Sequence, residues 1–291
     1  MKPNINFKCT SDDLEEIPQE VIDNTGLNFP KAHTNKDDIS TLAKALKEDK
    51  GDKICRVPFC VTVEAEALGA DIKLGNNNVG PRVNDYIFDS VEDLGDIGEL
   101  DLTNGRIKEV LTAVETLSQE GEFVILSVEG PLTIISSLID PINFYKGIKK
   151  NKEVINKFME VIEDSIVKYI LAGINKGAKI ISYADPAGSM DIVGPKIYKE
   201  INGQVTYNVL QRIEDELDSE IIHLCGKTST AFDELGYIKS TSIEVEGKNT
   251  YGEVIIELLT SDKNIKFLGH KCIKQTPAEL EKDYVWELEL I

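Results

Sequence analysis

The feature that most restricts the fold is a recurring order along the chain. A short apolar run is followed by a polar or glycine-containing turn, and then by a segment of helical period. Residues 123–128 (FVILSV) lead into EGPLTIISSLI, and 178–183 (AKIISY) precede a predicted helix from about 196 to 217. Residues 220–224 (EIIHL) and 241–245 (TSIEV) precede helices after Thr228 and Tyr251, and 265–268 (IKFL) form a last strand. Earlier, 57–63 (VPFCVTV) run into 64–68. Residues 141–176 carry Ile155, Phe158, Val161, Ile162, Ile166 and Tyr169 at helical spacing. Thr276 is placed to cap a final helix from Pro277. Strand–helix alternation predicts a parallel sheet with crossover helices. No G-x-G-x-x-G or G-x-x-x-x-G-K-[ST] stands between a strand and a helix. The pattern therefore favours an α/β fold of the (β/α)8 TIM-barrel type, with a doubly wound open sheet as the alternative. A length of 291 residues suits one barrel. Residues 1–50, polar and with a helix predicted over 37–47, are read as a helical and loop extension packed on a barrel of residues 51–291.

Charge narrows the partners. Lysine and arginine number 32 against 51 acids, a net charge of −19, which disfavours nucleic acid or an anionic membrane surface. The start, MKPNINFKCTSDDLEE, has no apolar signal region, and no run of about 18 apolar residues exists to span a membrane. Five cysteines, an odd and sparse set, do not make a disulfide framework. The expectation is a cytoplasmic protein with reduced thiols.

Reactive side chains collect where the predicted strands end. Asp185 follows IISYA, His223 and Cys225 follow EII, Glu244 sits in TSIEV, and His270 and Cys272 follow IKFLG. In a parallel barrel these ends share one face, where active sites lie. Three histidines and five cysteines would form only about 0.05 His-x-Cys pairs by chance, and the chain has two. Residues i and i+2 of a strand point the same way, so each pair offers an imidazole and a thiolate to one ion, a donor set that zinc takes tetrahedrally. Two arrangements fit. One is a closed site of His223, Cys225, His270 and Cys272. The other is an open one of His223, Cys225 and Cys272, with a carboxylate or water in fourth place. Cys9, Cys55 and Cys60 are read as ordinary buried or surface thiols.

These residues sit in a wider pattern. Residues 29–34 (FPKAHT), 56–70 (RVPFCVTVEAEALGA), 80–83 (GPRV), 129–133 (EGPLT), 175–198 (NKGAKIISYADPAGSMDIVGPKIY), 221–228 (IIHLCGKT) and 272–277 (CIKQTP) resemble the uroporphyrinogen decarboxylase superfamily. The likeness is to its methylcobamide:coenzyme M methyltransferase branch and runs from about 26 to 281. The resemblance implies a (β/α)8 barrel and a zinc ion on His223, Cys225 and Cys272, with Glu244 as an additional ligand. It implies a methylated corrinoid, carried by a small corrinoid-binding protein, as methyl donor. The acceptor it implies is a small thiol such as coenzyme M, with tetrahydrofolate as a less suited alternative. Asp185 is then read as orienting the acceptor or a zinc ligand, or as a helix cap. Glu64 and Glu66 are read as lining the mouth or as first-turn acids. Arg82 is read as meeting an anionic group or pairing with a surface acid, and His270 as a possible extra ligand. Against that resemblance, the family's usual opening segment is expected to be missing or rewritten here. A decarboxylase-like enzyme is disfavoured, because only Arg56, Arg82, Arg106 and Arg212 are available to clamp carboxylates. A non-catalytic zinc- or corrinoid-binding relative is the remaining alternative.

Overall fold

The computed structural model describes Phe7, Cys9 and residues 16–291 apart from Lys149 and Lys248. Helices α1 (Gln19–Thr25) and α2 (Lys36–Asp49) lead to β1 (Ile54–Val57) and α3 (Val63–Ala67). A small hairpin, β2 (Asp71–Lys73) and β3 (Arg82–Asp85), precedes α4 (Gly105–Gln119), β4 (Phe123–Glu129) and α5 (Pro131–Ile135). Then follow α6 (Pro141–Ile148), α7 (Lys152–Asn175), β5 (Ile180–Ala184), α8 (Met190–Val193), α9 (Pro195–Ile197) and α10 (Gly203–Glu214). The chain ends with β6 (Ile221–Cys225), α11 (Gly226–Leu235), β7 (Ile238–Glu244), α12 (Tyr251–Thr260), β8 (Phe267–Lys271) and β9 (Tyr284–Leu290). Among the described residues no helix is long and apolar enough to cross a membrane.

The architecture is α/β, of barrel type, built on a seven-stranded sheet in the order β1-β4-β5-β6-β8-β9-β7. The first five of these neighbours are parallel, as the crossover pattern predicts. β9 then joins antiparallel to β8, and β7 antiparallel to β9 over seven register pairs. Two expectations change here. The segment after Pro277 is not a helix: Tyr284–Leu290 (YVWELEL) is a strand that buries Val285 and Leu288 on opposite faces. β1 lies ahead of the predicted run, at Ile54–Val57, and Pro58 has no N–H with which to continue its ladder.

Strand alternation sorts the two faces of the sheet. Outward residues pack beneath helices that include α2, α4, α7, α10 and α11, through Leu42, Val114, Ile166, Val209 and Phe232. Helix α2 packs directly on β1 and α4, so residues 36–49 belong to this outer layer. The inner face carries a register row, Ile125–Ile180–Ile221, with Ile54 and Leu268 beside it. Helix α12 lies over these side chains with Tyr251, Val254, Ile255 and Leu258. Each such side chain, fully buried, is worth about 1.5–3 kcal/mol, which suffices to hold α12 across the interior.

Candidate functional site

Higher on the inner face the apolar row gives way to polar ones. Ser127, Ser182, His223 and Leu268 are register partners one step above the isoleucines, and Glu129 pairs with Ala184 in the step above that. Cys225 follows His223 by two and faces the same way. These strand ends open into a cavity of about 390 Å³ whose wall includes Arg56, Ser127, Glu129, Ser182, Asp185, Cys225, Lys227, Cys272, Lys274 and Cys9. The cavity therefore sits at the carboxyl ends of the parallel strands, as the barrel reading requires.

His223 is wholly buried, and neither ring nitrogen has a hydrogen-bond partner among the described residues. Burial depresses its pKa to about 4, so the imidazole is neutral at pH 7 and keeps one lone pair to donate. An unsatisfied buried polar ring is costly unless something binds it. The ring of Tyr251 lies edge-on beside it, 5.7 Å between centroids, with its own buried hydroxyl unpartnered among the described residues. Burial pushes the Cys225 thiol up to about 11. Burial raises Cys272, just past β8, in the same direction. A cation among these sulfurs would reverse both effects. Among the described residues, no three His, Cys, Asp or Glu side chains stand at ligating distance. Yet the donor chemistry fits zinc: a neutral, unpartnered imidazole below, and two thiols on the wall of one cavity above it. Binding would require these side chains to turn toward a common point.

The other predicted residues separate. Asp185 is buried at the cavity wall and fully engaged: Oδ1 accepts from Thr133 N (2.8 Å), Thr133 Oγ1 (2.6 Å) and Gly188 N (3.2 Å), and Oδ2 from Leu132 N (3.1 Å). It thus caps the first turn of α5 from another strand, which favours its reading as a capping residue. Glu64 is buried behind β4, where Oε1 accepts from Glu129 N (2.9 Å); burial lifts its pKa to about 7. Glu66 pairs with the buried Arg106 through Nε and Nη2; Nη2 also donates to Thr62 Oγ1 (2.7 Å), and Nη1 to Cys60 Sγ (3.0 Å). Arg82 is exposed on β3, away from the cavity.

Neither Glu244 nor His270 reaches the cavity. Glu244 ends the edge strand β7, exposed and paired with Tyr284, because β9 is inserted between β7 and β8. His270 would face inward by alternation from Leu268, but its backbone takes a positive φ of 57°, which turns the strand at this point. The ring instead meets Ser240 Oγ at 2.8 Å and Thr230 Oγ1 at 3.4 Å, and packs edge-on to Trp286. With both nitrogens so engaged, the closed four-ligand arrangement loses its fourth member. Residues not anticipated at the wall include Arg56, Lys227, Lys274, Ser127, Glu129, Ser182, Cys60 and Cys9. Ser127, Glu129 and Ser182 share the inward parity of β4 and β5, and Arg56 lies on β1; Cys9 had no local signal.

Comparison with known proteins fits this frame. The family model described as Uroporphyrinogen decarboxylase (URO-D) matches residues 15–265, and the chain belongs to that family. Within it, the chain is 29% identical over 233 residues to the methylcobamide:CoM methyltransferase MtaA of Methanosarcina barkeri (strain Fusaro / DSM 804), covering 79% of this chain and 68% of that protein. It is 26% identical over 219 residues to the methylcobamide:CoM methyltransferase MtbA of Methanosarcina acetivorans, covering 72% and 62%. The uroporphyrinogen decarboxylase of Picrophilus torridus is 25% identical over 194 residues, covering 64% and 55%. A solved methyltransferase from Methanosarcina mazei superposes with a TM-score of 0.65 at 26% identity, covering 74% of this chain and 64% of that one.

Proposed function

We propose that this chain is a zinc-dependent methyltransferase that moves a methyl group from a methylated corrinoid to a thiol acceptor. The observation that carries the reading is His223: buried, neutral, unpartnered among the described residues, and directly below Cys225 on a cavity wall that also holds Cys272. His223, Cys225 and Cys272 would hold the ion, and zinc when bound supplies a positive charge that keeps an acceptor thiol ionised at neutral pH. The remaining chemistry belongs to the chain. Asp185 ties the turn after β5 to the start of α5 and so fixes one side of the mouth. Arg56, Lys274 and Lys227, the last paired with Asp191 at 3.0 Å, bring positive charge to a wall that also holds Glu129 and Asp185, and are the groups suited to an anionic part of the acceptor. The acceptor sulfur attacks the methyl carbon in line, the carbon–cobalt bond breaks, and its electron pair stays on cobalt, taking Co(III) to Co(I). The thiol's proton leaves to solvent. The names of the relatives, methylcobamide:CoM methyltransferases, support donor and acceptor class. The decarboxylase reading is disfavoured by a cavity with one arginine in its wall.

The test is metal content and turnover together. Elemental analysis of untagged protein is expected to give about one zinc per chain, lost in Cys225→Ala. The loaded wild type should methylate a small thiol from methylcobalamin. A wild type that refuses added zinc overturns the reading.

A further inference from the structure

Four cysteines line the cavity, but the Cys60 sulfur already accepts from Arg106 Nη1 at 3.0 Å. The other three come from distant parts of the chain: Cys225 ends β6, Cys272 follows β8, and Cys9 arrives from the N-terminal segment. Cys9 is the exposed member, and the other two are half-buried. A separate feature holds it there. The Phe7 ring is seated on Gly226, the residue after Cys225, so closely that a Cβ at Gly226 would come within 2.4 Å of the ring. Gly226 does not have a positive φ, so the glycine is needed for this close approach and not for its backbone. Phe7 thus fastens the chain two residues before Cys9 against the N-terminus of α11, beside the strand end that bears His223 and Cys225. Beneath them His223, wholly buried and unpartnered among the described residues, supplies the nitrogen donor.

We propose that Cys9 is a third sulfur donor at this centre, completing a set of one imidazole and three thiolates with His223, Cys225 and Cys272 until an acceptor thiol takes its place. The inference rests on the zinc reading above. Zinc favours four ligands, and the open three-residue set lacks one. Exchange balances without a further reactant. The acceptor sulfur takes the position, Cys9 sulfur leaves it, and the acceptor's proton passes to Cys9. The resting site is then closed to water, and only a competing thiol opens it.

Cobalt(II) loaded into the full chain in place of zinc, with a thiol-free reductant, reads the number of sulfur donors directly through the intensity of sulfur-to-cobalt absorption. Cys9→Ser should lose about one third of that intensity, and bind zinc about tenfold more weakly in a chelator competition. Phe7→Ala should shift both readouts the same way while leaving Cys9 in place. Adding 2-mercaptoethanol should restore the intensity of Cys9→Ser and leave the wild type nearly unchanged, since one thiolate replaces another. A Cys9→Ser spectrum equal to wild type overturns this inference and leaves the zinc reading standing. Failure of the wild type to bind cobalt or zinc overturns both.

Discussion

The rings of His223 and Tyr251 meet edge to face, 5.7 Å between centroids and 65° between planes, at the junction between the apolar floor and the polar mouth. The contact links the candidate ligand on β6 to α12, the helix that fills the interior. Tyr251 is fully buried, and its hydroxyl has no partner among the described residues. Tyr251→Phe is therefore expected to leave metal-free stability unchanged or raise it by up to about 1 kcal/mol. Tyr251→Ala opens a cavity beside the imidazole and should cost about 3–5 kcal/mol. Urea melts of the two variants check the pair. A Phe variant as unstable as the Ala variant would show that the hydroxyl has a partner.

Asp185 is expected to matter through shape and not through proton transfer. Its two oxygens accept four hydrogen bonds, three of them from backbone N–H groups. Asn at this position must turn an NH2 toward at least one N–H donor. Asp185→Asn should cost about 2–3 kcal/mol in thermal or urea unfolding, because the lost acceptor leaves a buried donor unsatisfied. Methyl-transfer rate per folded, zinc-loaded molecule should fall far less than the hundredfold or more expected for loss of a general base. A stable Asp185→Asn protein with abolished turnover would return Asp185 to the chemistry.

Alternation within one strand places His223 and Cys225 on the same face, as the sequence pattern implies; that Ser127 and Ser182 share that face depends on the register between β4, β5 and β6. Parity failed where the backbone departs from regular strand. His270, at φ 57°, could not be distinguished by pattern from His223. Glu244 stands at a strand end as expected, but strand neighbours are set by long-range pairing, and its partner on β9 is Tyr284, far along the chain. The strand YVWELEL was obscured by a Thr-Pro pair that signals a helix start and here closes a short 3-10 turn. Cys9 carries no local signal at all; the packing of Phe7 on Gly226 is a long-range contact.

The His270 ring offers a direct comparison between the two ligand sets that the sequence allowed. It bridges Ser240 on β7 and Thr230 on α11, and its backbone N–H donates to Ser229 Oγ at 2.8 Å. His270→Ala should retain about one zinc per chain while losing about 2–3 kcal/mol of stability, chiefly from the emptied volume, since the Ser240 hydroxyl keeps its hydrogen bond to Asp233 Oδ2. Metal analysis beside a thermal melt decides it. Loss of zinc from a folded variant would favour the closed site.

Buried ionisable groups give the metal-free protein two opposed pH limbs. Glu64 has its pKa raised to about 7 from 4.5, so between these values the folded state binds more protons than the unfolded one. Stability is therefore fully present below about pH 4.5 for this group and is lost as pH rises through about 7, an effect of about 3 kcal/mol. His223 works in the other direction. Its pKa is lowered to about 4 from 6.5, so its contribution is full above about 6.5 and is lost as pH falls toward 4. His270, lowered to about 4 in the same way, adds to that acid limb. Glu64→Gln keeps an oxygen to accept from Glu129 N and removes the charge, so it should flatten the limb between about pH 5 and 8 and stabilise the protein at about pH 8. Zinc should steepen the acid limb, because protons then compete with the ion for His223 as well as for the thiols. Urea midpoints at half-unit pH steps, with and without zinc, test each statement. A Glu64→Gln protein whose stability still falls over that range as in wild type would assign the limb to another group.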